Sequence, residues 1–328
     1  MPDIDAIFQT ALRALTAACE TTARVQAGFD AREALTKHDR SPVTIADYAS
    51  QVIISKHLWE VFPDYGMISE ENADELRKPE NAAQLSSVCE QVRVHLPDIS
   101  ESEICDILTR GGLGKHGLDW TLDPIDGTKG FMRGDQYAVA LALLREGKVI
   151  AGFMGCPRYS VMGGLTPSIF YAAQGEGAWQ RILDTPDPDQ EINVEDTAVL
   201  TQARIIRGIE ATHANLGIVD VLKARLGMQA EDVRMDGQGK YAAVATGDAT
   251  AYLRVPQLDS TRKECVWDHA AGVIIVEEAG GKVTDVEGSP LDFTVGDTLA
   301  ENRGIIATNG AIHEEVLNAV SAIEAEAV

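Results

Sequence analysis

Residues 122–131, LDPIDGTKGF, confine this chain to few local folds. Pro124 fixes its own φ and pushes Asp123 towards extended geometry, so Asp123 can end a strand while Asp126 comes round the following turn towards the same point. Carboxylates placed in this way can share cations. Gly127 lets the backbone approach a ligand closely, and the free N–H groups of a helix starting after it would point at an anion. The stretch offers oxygen ligands and neither Cys nor His, which favours a hard ion, Mg²⁺ with Mn²⁺ as the alternative. Alone, a D-x-x-D pair flanking proline more often marks a turn with solvated acids. Three further segments shift that balance.

Residues 41–51, SPVTIADYASQ, lead into the apolar spacing of Val52, Ile53, Leu58, Trp59, Val61 and Phe62, which predicts a helix with Asp47 near its first turns. Residues 65–71, YGMISEE, read as a strand delivering Glu70 and Glu71 at its C-terminal end, where α/β folds build their sites. Residues 267–272, WDHAAG, open a helical run through Val273, Ile274, Val276 and Ala279 that Gly280 and Gly281 stop, with Asp268 at its N-terminus. Taken singly, Asp47 and Asp268 are helix-end carboxylates favoured by the macrodipole. It is their company that points to a site.

Along the chain, residues 1–62 predict two helices, 63–71 a strand, and 82–110 helix interrupted at Pro97; 115–121 enter the strand that carries Asp123. Residues 137–144, 149–156 and 169–173 have strand composition, with Glu146-Gly147 as a hairpin turn. The polar, breaker-rich stretch 183–197 marks a domain boundary, giving an N-terminal α+β domain (1–190) and a C-terminal α/β domain (191–328). In the second, strands and helices alternate over 203–207, 218–226, 241–246, 251–254, the Trp267 helix, 304–307 and 311–325.

With 328 residues, 45% of them apolar, the chain can bury a sizeable core. A formal net charge of −23 repels nucleic-acid backbones and anionic membranes. No nucleic-acid polymer is therefore expected as partner, and a small polyanionic substrate needs local compensation from metal ions and a few placed Lys or Arg. Cys19, Cys89, Cys105, Cys156 and Cys265 are odd in number, lack zinc spacing and read as reduced thiols of a soluble cytoplasmic protein. Residues 1–26 show helical spacing where a signal peptide would stand, and no apolar run approaches membrane-spanning length. Gly112, Gly114 and Gly117 match G-x-G-x-x-G but precede a strand instead of following one, so they read as a loop. Gly237, Gly239 and Ala242 match G-x-G-x-x-A and read as a substrate-facing turn.

The four acidic segments, in this order, resemble the lithium-sensitive, Mg²⁺-dependent phosphatase superfamily that includes inositol monophosphatase and fructose-1,6-bisphosphatase. The extended forms LDPIDGTKGFMRGDQYAVALALL and KYAAVATGDATAYLRVP, followed by WDHAAG and EEAGG, resemble its 3'(2'),5'-bisphosphate nucleotidase branch. The resemblance implies α+β and α/β layers in a five-layered αβαβα sandwich of the inositol monophosphatase type. It implies a first ion held by Glu70, Asp123 and the Ile125 carbonyl, a second held by Asp123, Asp126 and Asp268, and a third, weaker one near Glu70. Asp47, Thr128 and Glu70 become catalytic, with Asp47 accepting the Thr128 hydroxyl proton in a hydrogen bond, and the Gly127 and Thr128 amides hold phosphate oxygens. His213, Lys240 and Arg254 match positions that contact the nucleotide; at Gly237 the family commonly has a phosphate-contacting Ser, a departure that backbone N–H groups of 237–239 could offset. The implied reaction is removal of the 3'-phosphate from adenosine 3',5'-bisphosphate and its sulfated form. The alternatives are an inositol mono- or polyphosphate phosphatase and a catalytically silent nucleotide or metal sensor.

Overall fold

The computed structural model describes residues 3–28, 35–36, 42–112, 114, 117–161, 164–209 and 216–327. Its first half opens with helix α1 (Ile4–Ala27), the small strands β1 (Leu35–Thr36) and β2 (Pro42–Val43), and α2 (Ile45–Val61). Strand β3 (Gly66–Ser69), α3 (Ala82–Val92), α4 (Glu101–Arg110), β4 (Leu118–Asp126) and α5 (Thr128–Met132) follow. Then come β5 (Ala138–Arg145), β6 (Lys148–Cys156), a minor pair β7 (Ser160–Val161) and β8 (Gly164–Leu165), β9 (Ser168–Ala173), β10 (Ala178–Ile182) and β11 (Gln190–Ile192). The second half runs β12 (Ile205–Arg207), α6 (Leu216–Leu226), β13 (Val233–Arg234), α7 (Gly239–Ala245), β14 (Ala251–Arg254), α8 (Ala270–Glu278), β15 (Lys282–Thr284), β16 (Ile305–Thr308) and α9 (His313–Ala327).

Two sheets carry the fold. One has the order β11-β10-β9-β6-β5-β4-β3, antiparallel except for the β3–β4 pair. The other has the order β13-β12-β14-β16-β15 and is mixed. The alternation of side chains along each strand explains the layering. On β5, Val139, Leu141 and Leu143 point into a core shared with α1 and α2, while Ala138, Ala140, Ala142 and Leu144 face a second core shared with α7 and α8. On the smaller sheet Tyr252, Ile305 and Ala307 close that second core from the other side, and Ala251, Leu253 and Ile306 face a third, under α6 and α9. The result is helix, sheet, helix, sheet, helix: the five layers expected.

The middle layer explains the WDHAAG sequence. A helix between two sheets has no solvent face, and α8 is buried at every position from Ala270 to Val276. It must also lie close to its neighbours: a Cβ on Gly272 would meet the Tyr241 ring at 2.2 Å. The expected break after residue 190 falls inside β11, the last strand of the first sheet, which pairs with β10 from Gln190 through Ile192; the change of sheet comes between Ile192 and Ile205. No helix among the described residues is long and apolar enough to cross a membrane.

Candidate active site

Asp123 and Asp126 are three apart, and in a regular strand that spacing sends side chains to opposite faces. The structure solves this with a bulge. Instead of ending at Asp123, β4 runs on through Asp126, and its pairing slips so that Asp123 lies opposite Ala140 and Asp126 opposite Ala138. One extra residue on β4 brings both carboxylates back to one face, and Pro124, which has no N–H to give a central ladder, occupies the irregular stretch. Asp123 Oδ1 accepts the Ile125 amide at 3.0 Å. Gly127, at φ +93°, then turns the chain into α5, which starts at Thr128 as expected.

Glu70 follows β3, its amide bound to the Leu122 carbonyl at 3.1 Å. Its neighbour is clamped to α2: the buried Gln51 side chain donates to the Glu71 carbonyl at 2.7 Å and accepts the Glu71 amide at 3.0 Å. Asp268 closes a short 3₁₀ turn, Val266–Asp268, ahead of α8. The four acids converge. Burial pushes Asp123 well above the ordinary carboxylate range, and the charges of Glu70, Asp126 and Asp268, with a Glu70 hydrogen bond, push it further. Asp126 is raised by burial, against the opposing pull of Lys240, Arg254 and a hydrogen bond from Gln238. Asp268 is pushed up to about 8 by burial and by Asp126, with Arg254 opposing and Glu70 and Glu264 adding to the rise. Carboxylates gathered at such cost are matched to cations. Hard carboxylate oxygens of this kind suit Mg²⁺ or Mn²⁺.

The expected hydrogen bond between Asp47 and Thr128 is not formed. Asp47 is N3 of α2 in a capping box: its Oδ2 accepts from the Thr44 amide at 2.8 Å and the Thr44 hydroxyl at 2.6 Å. The Thr128 hydroxyl donates instead to the Ile125 carbonyl at 3.2 Å. Thr44 lies three residues before Asp47, the spacing of a capping box, and that signal was readable in the sequence.

The cationic side of the site comes from the second half. Lys240, on α7, is buried; its ammonium donates to the Gly237 carbonyl and, at 3.4 Å, to that of Met235, and lies 5.3 Å from the centre of the Tyr252 ring. Burial lowers its pKa to about 8 despite the attraction of Asp126. Arg254 ends β14 and is paired with Glu264, with 2.6 Å between Nη2 and Oε2. Gly237 sits at φ +68° against the acidic loop, where an added Cβ would meet the Asp126 carbonyl oxygen at 2.4 Å. His213 lies outside the described residues.

Gln238 and Glu264 were not anticipated from sequence, and neither carries a local pattern that would have flagged it. Gln238 bonds Asp126 and also donates to the Trp267 carbonyl at 2.9 Å, joining the two acid-bearing segments. Arg133, after α5, is ion-paired with Asp236 and so ties the acidic loop to the turn that carries Gly237. Among the described residues all five cysteines are unpaired.

The chain is similar to known proteins along most of its length. The model of the inositol monophosphatase family matches residues 3–325. A protein of Oryza sativa named 3'(2'),5'-bisphosphate nucleotidase is 39% identical over 332 residues, covering 94% of this chain and 92% of its own. One of Schizosaccharomyces pombe with the same name is 38% identical over 308 residues, covering 88% and 86%. Among solved structures, an IMPase of Thermotoga maritima superposes with a TM-score of 0.68 at 21% identity, over 99% of both chains.

Proposed function

The chain belongs to the inositol monophosphatase family of metal-dependent phosphatases, and from that premise we propose that it is a 3'(2'),5'-bisphosphate nucleotidase. It removes the 3'-phosphate of adenosine 3',5'-bisphosphate, and of 3'-phosphoadenylyl sulfate, as inorganic phosphate. One observation carries the choice of substrate: the buried acids stand next to two placed cations, Lys240 and Arg254, close enough for their charges to act on Asp126. A monophosphate needs the acids alone; a second, remote phosphate needs fixed positive charge beside them.

Hydrolysis of a phosphomonoester is among the slowest uncatalysed reactions, and its dianion repels an incoming hydroxide. Glu70, Asp123 and the Ile125 carbonyl would hold one Mg²⁺, Asp123, Asp126 and Asp268 a second, and a third, weaker ion would lie near Glu70. The chemistry such ions supply is neutralisation of the phosphate and activation of water. The Gly127 and Thr128 amides, at the start of α5, bind non-bridging oxygens. Thr128 and Asp47 orient the attacking water, and for that role the Thr128 hydroxyl has to turn away from the Ile125 carbonyl. His213, Lys240, Arg254 and the amides around Gly237 take the nucleoside and its 5'-phosphate.

Residues 1–190 thus supply most acids and 191–328 the nucleotide contacts with Asp268. Five unpaired thiols suit a reducing, cytoplasmic setting. The test is phosphate release from a panel of adenosine 3',5'-bisphosphate, its sulfated form, inositol phosphates and fructose bisphosphate, with Mg²⁺ or with chelator. Preference for the adenosine compounds, abolished by chelation, is expected. Preference for inositol phosphates would overturn the reading, and no turnover of any would leave a sensor.

A further inference from the structure

Glu264 has no part in the proposed metal or phosphate chemistry, yet it grips one of the site's cations, Arg254. Its two carboxylate oxygens take the side edge of the Arg254 guanidinium, Oε1 accepting from Nε at 2.9 Å and Oε2 lying 2.6 Å from Nη2. Both side chains are largely shielded, at 15% exposure for Arg254 and 10% for Glu264. The grip is fixed to the framework: the Glu264 carbonyl accepts the Leu299 amide at 2.8 Å, the Val266 amide donates to the Asp297 carbonyl at 3.0 Å, and Cys265 bridges to Thr298. On its other side Glu264 faces His269, whose Nε2 lies 3.7 Å from Oε2 and whose Nδ1 is bonded to the Tyr241 hydroxyl at 2.8 Å. Tyr241 adjoins Lys240 on α7 and His269 adjoins Asp268.

Glu264, Asp268 and His269 could hold an ion by spacing alone, their ligand atoms lying within 4.8 Å of one another. Arg254 argues against that use, because a metal would have to displace a guanidinium already seated on both Glu264 oxygens. A guanidinium has five donors in a rigid fork. With its side edge committed to Glu264 and the Tyr252 hydroxyl as a further partner, the guanidinium keeps one orientation.

We propose that Glu264 is the positioning residue for substrate choice: by holding the side edge of Arg254 it presents the outer edge to the remote 5'-phosphate of the bisphosphate. This rests on the bisphosphate reading given above, and the two fail separately. A parent enzyme with equal KM for adenosine 3',5'-bisphosphate and adenosine 3'-phosphate refutes the substrate reading before any variant is made.

Where the parent prefers the bisphosphate, steady-state kinetics of Glu264→Gln on both compounds test the proposal. The glutamine amide sets a donor against a donor, so the KM ratio between the two compounds should shift against the bisphosphate by about tenfold, as for one charge-assisted hydrogen bond lost. If Glu264 acts only through Arg254, the double variant Glu264→Gln with Arg254→Met should show the ratio of Arg254→Met alone. Equal KM changes on both compounds, or fully additive effects, would reduce the pair to a structural strut. Should Glu264→Gln not fold, Arg254→Lys decides: it keeps the charge and loses the fork, so the same shift in ratio is expected and a parental ratio overturns the proposal.

Discussion

Gly237→Ser places a hydroxyl beside the acidic loop, and on chemistry alone it should add a phosphate-binding group. The backbone predicts the opposite. Gly237 has φ +68°, and a Cβ there would lie 2.4 Å from the Asp126 carbonyl oxygen and 3.3 Å from the Ala138 amide nitrogen. Both are backbone atoms of the bulged β4–β5 pair and cannot swing aside. Left-handed backbone at a residue with a Cβ costs about 1–2 kcal/mol, and forcing an extra carbon into a filled position costs about 1–3 kcal/mol more. The sum is roughly 2–5 kcal/mol. At roughly 2 °C per kcal/mol for a chain of this size, the melting midpoint should fall by roughly 4–10 °C. Because the strain falls on Asp126, kcat should drop while KM for the bisphosphate fails to improve. Thermal melts and steady-state kinetics of Gly237→Ser and Gly237→Ala check this, the alanine carrying the Cβ without the hydroxyl. A parental midpoint for either variant, or a serine variant with improved KM and unchanged kcat, would refute the reasoning.

Asp126→Asn removes one of the crowded buried charges, so it should retain the fold, lose Mg²⁺-dependent turnover by about 100-fold or more, and no longer gain thermal stability from added Mg²⁺; parental turnover at saturating Mg²⁺ would sink the ligand assignment. Lys240→Met should raise KM for adenosine 3',5'-bisphosphate by about tenfold more than for adenosine 3'-phosphate, and equal effects on the two would place Lys240 outside the phosphate pocket. His313 is buried between the Thr284 and Thr308 hydroxyls, at 3.0 and 2.9 Å, and burial chiefly lowers its pKa to about 4. The unfolded chain therefore binds a proton there that the folded chain refuses, and stability should decline as pH falls from about 6.5 to about 4. His313→Gln should flatten that part of a denaturant-midpoint profile against pH, and an unaltered slope would assign the decline to other groups.

The acid-bearing segments were legible because each combines a strong local signal with a side chain of evident chemistry: the apolar spacing after Asp47, the short strand before Glu70, the helix after Asp268. The bulge at residues 123–126 was not, since periodicity reports regular strands and a slipped register is a property of the pair. Asp123 and Asp126 could be seen to converge, but the device that makes them converge lies in β5 as much as in β4. Short strands such as β13 (Val233–Arg234) and β15 (Lys282–Thr284) are too brief to show alternation. Partnerships across long separations were hidden for the same reason: Arg133 meets Asp236 from 103 positions away, and Glu264 stands in a polar stretch with no periodicity to mark it. The Asp47–Thr128 pairing came from resemblance, and the structure gives both residues local partners first.

The most direct test of the central claim is the identity of the nucleotide left after turnover of adenosine 3',5'-bisphosphate by the purified protein with Mg²⁺, read by chromatography against authentic standards. The account predicts adenosine 5'-phosphate and inorganic phosphate in equal amounts, and neither once Mg²⁺ is chelated. Adenosine 3'-phosphate as the product, or release that persists in chelator, would contradict it.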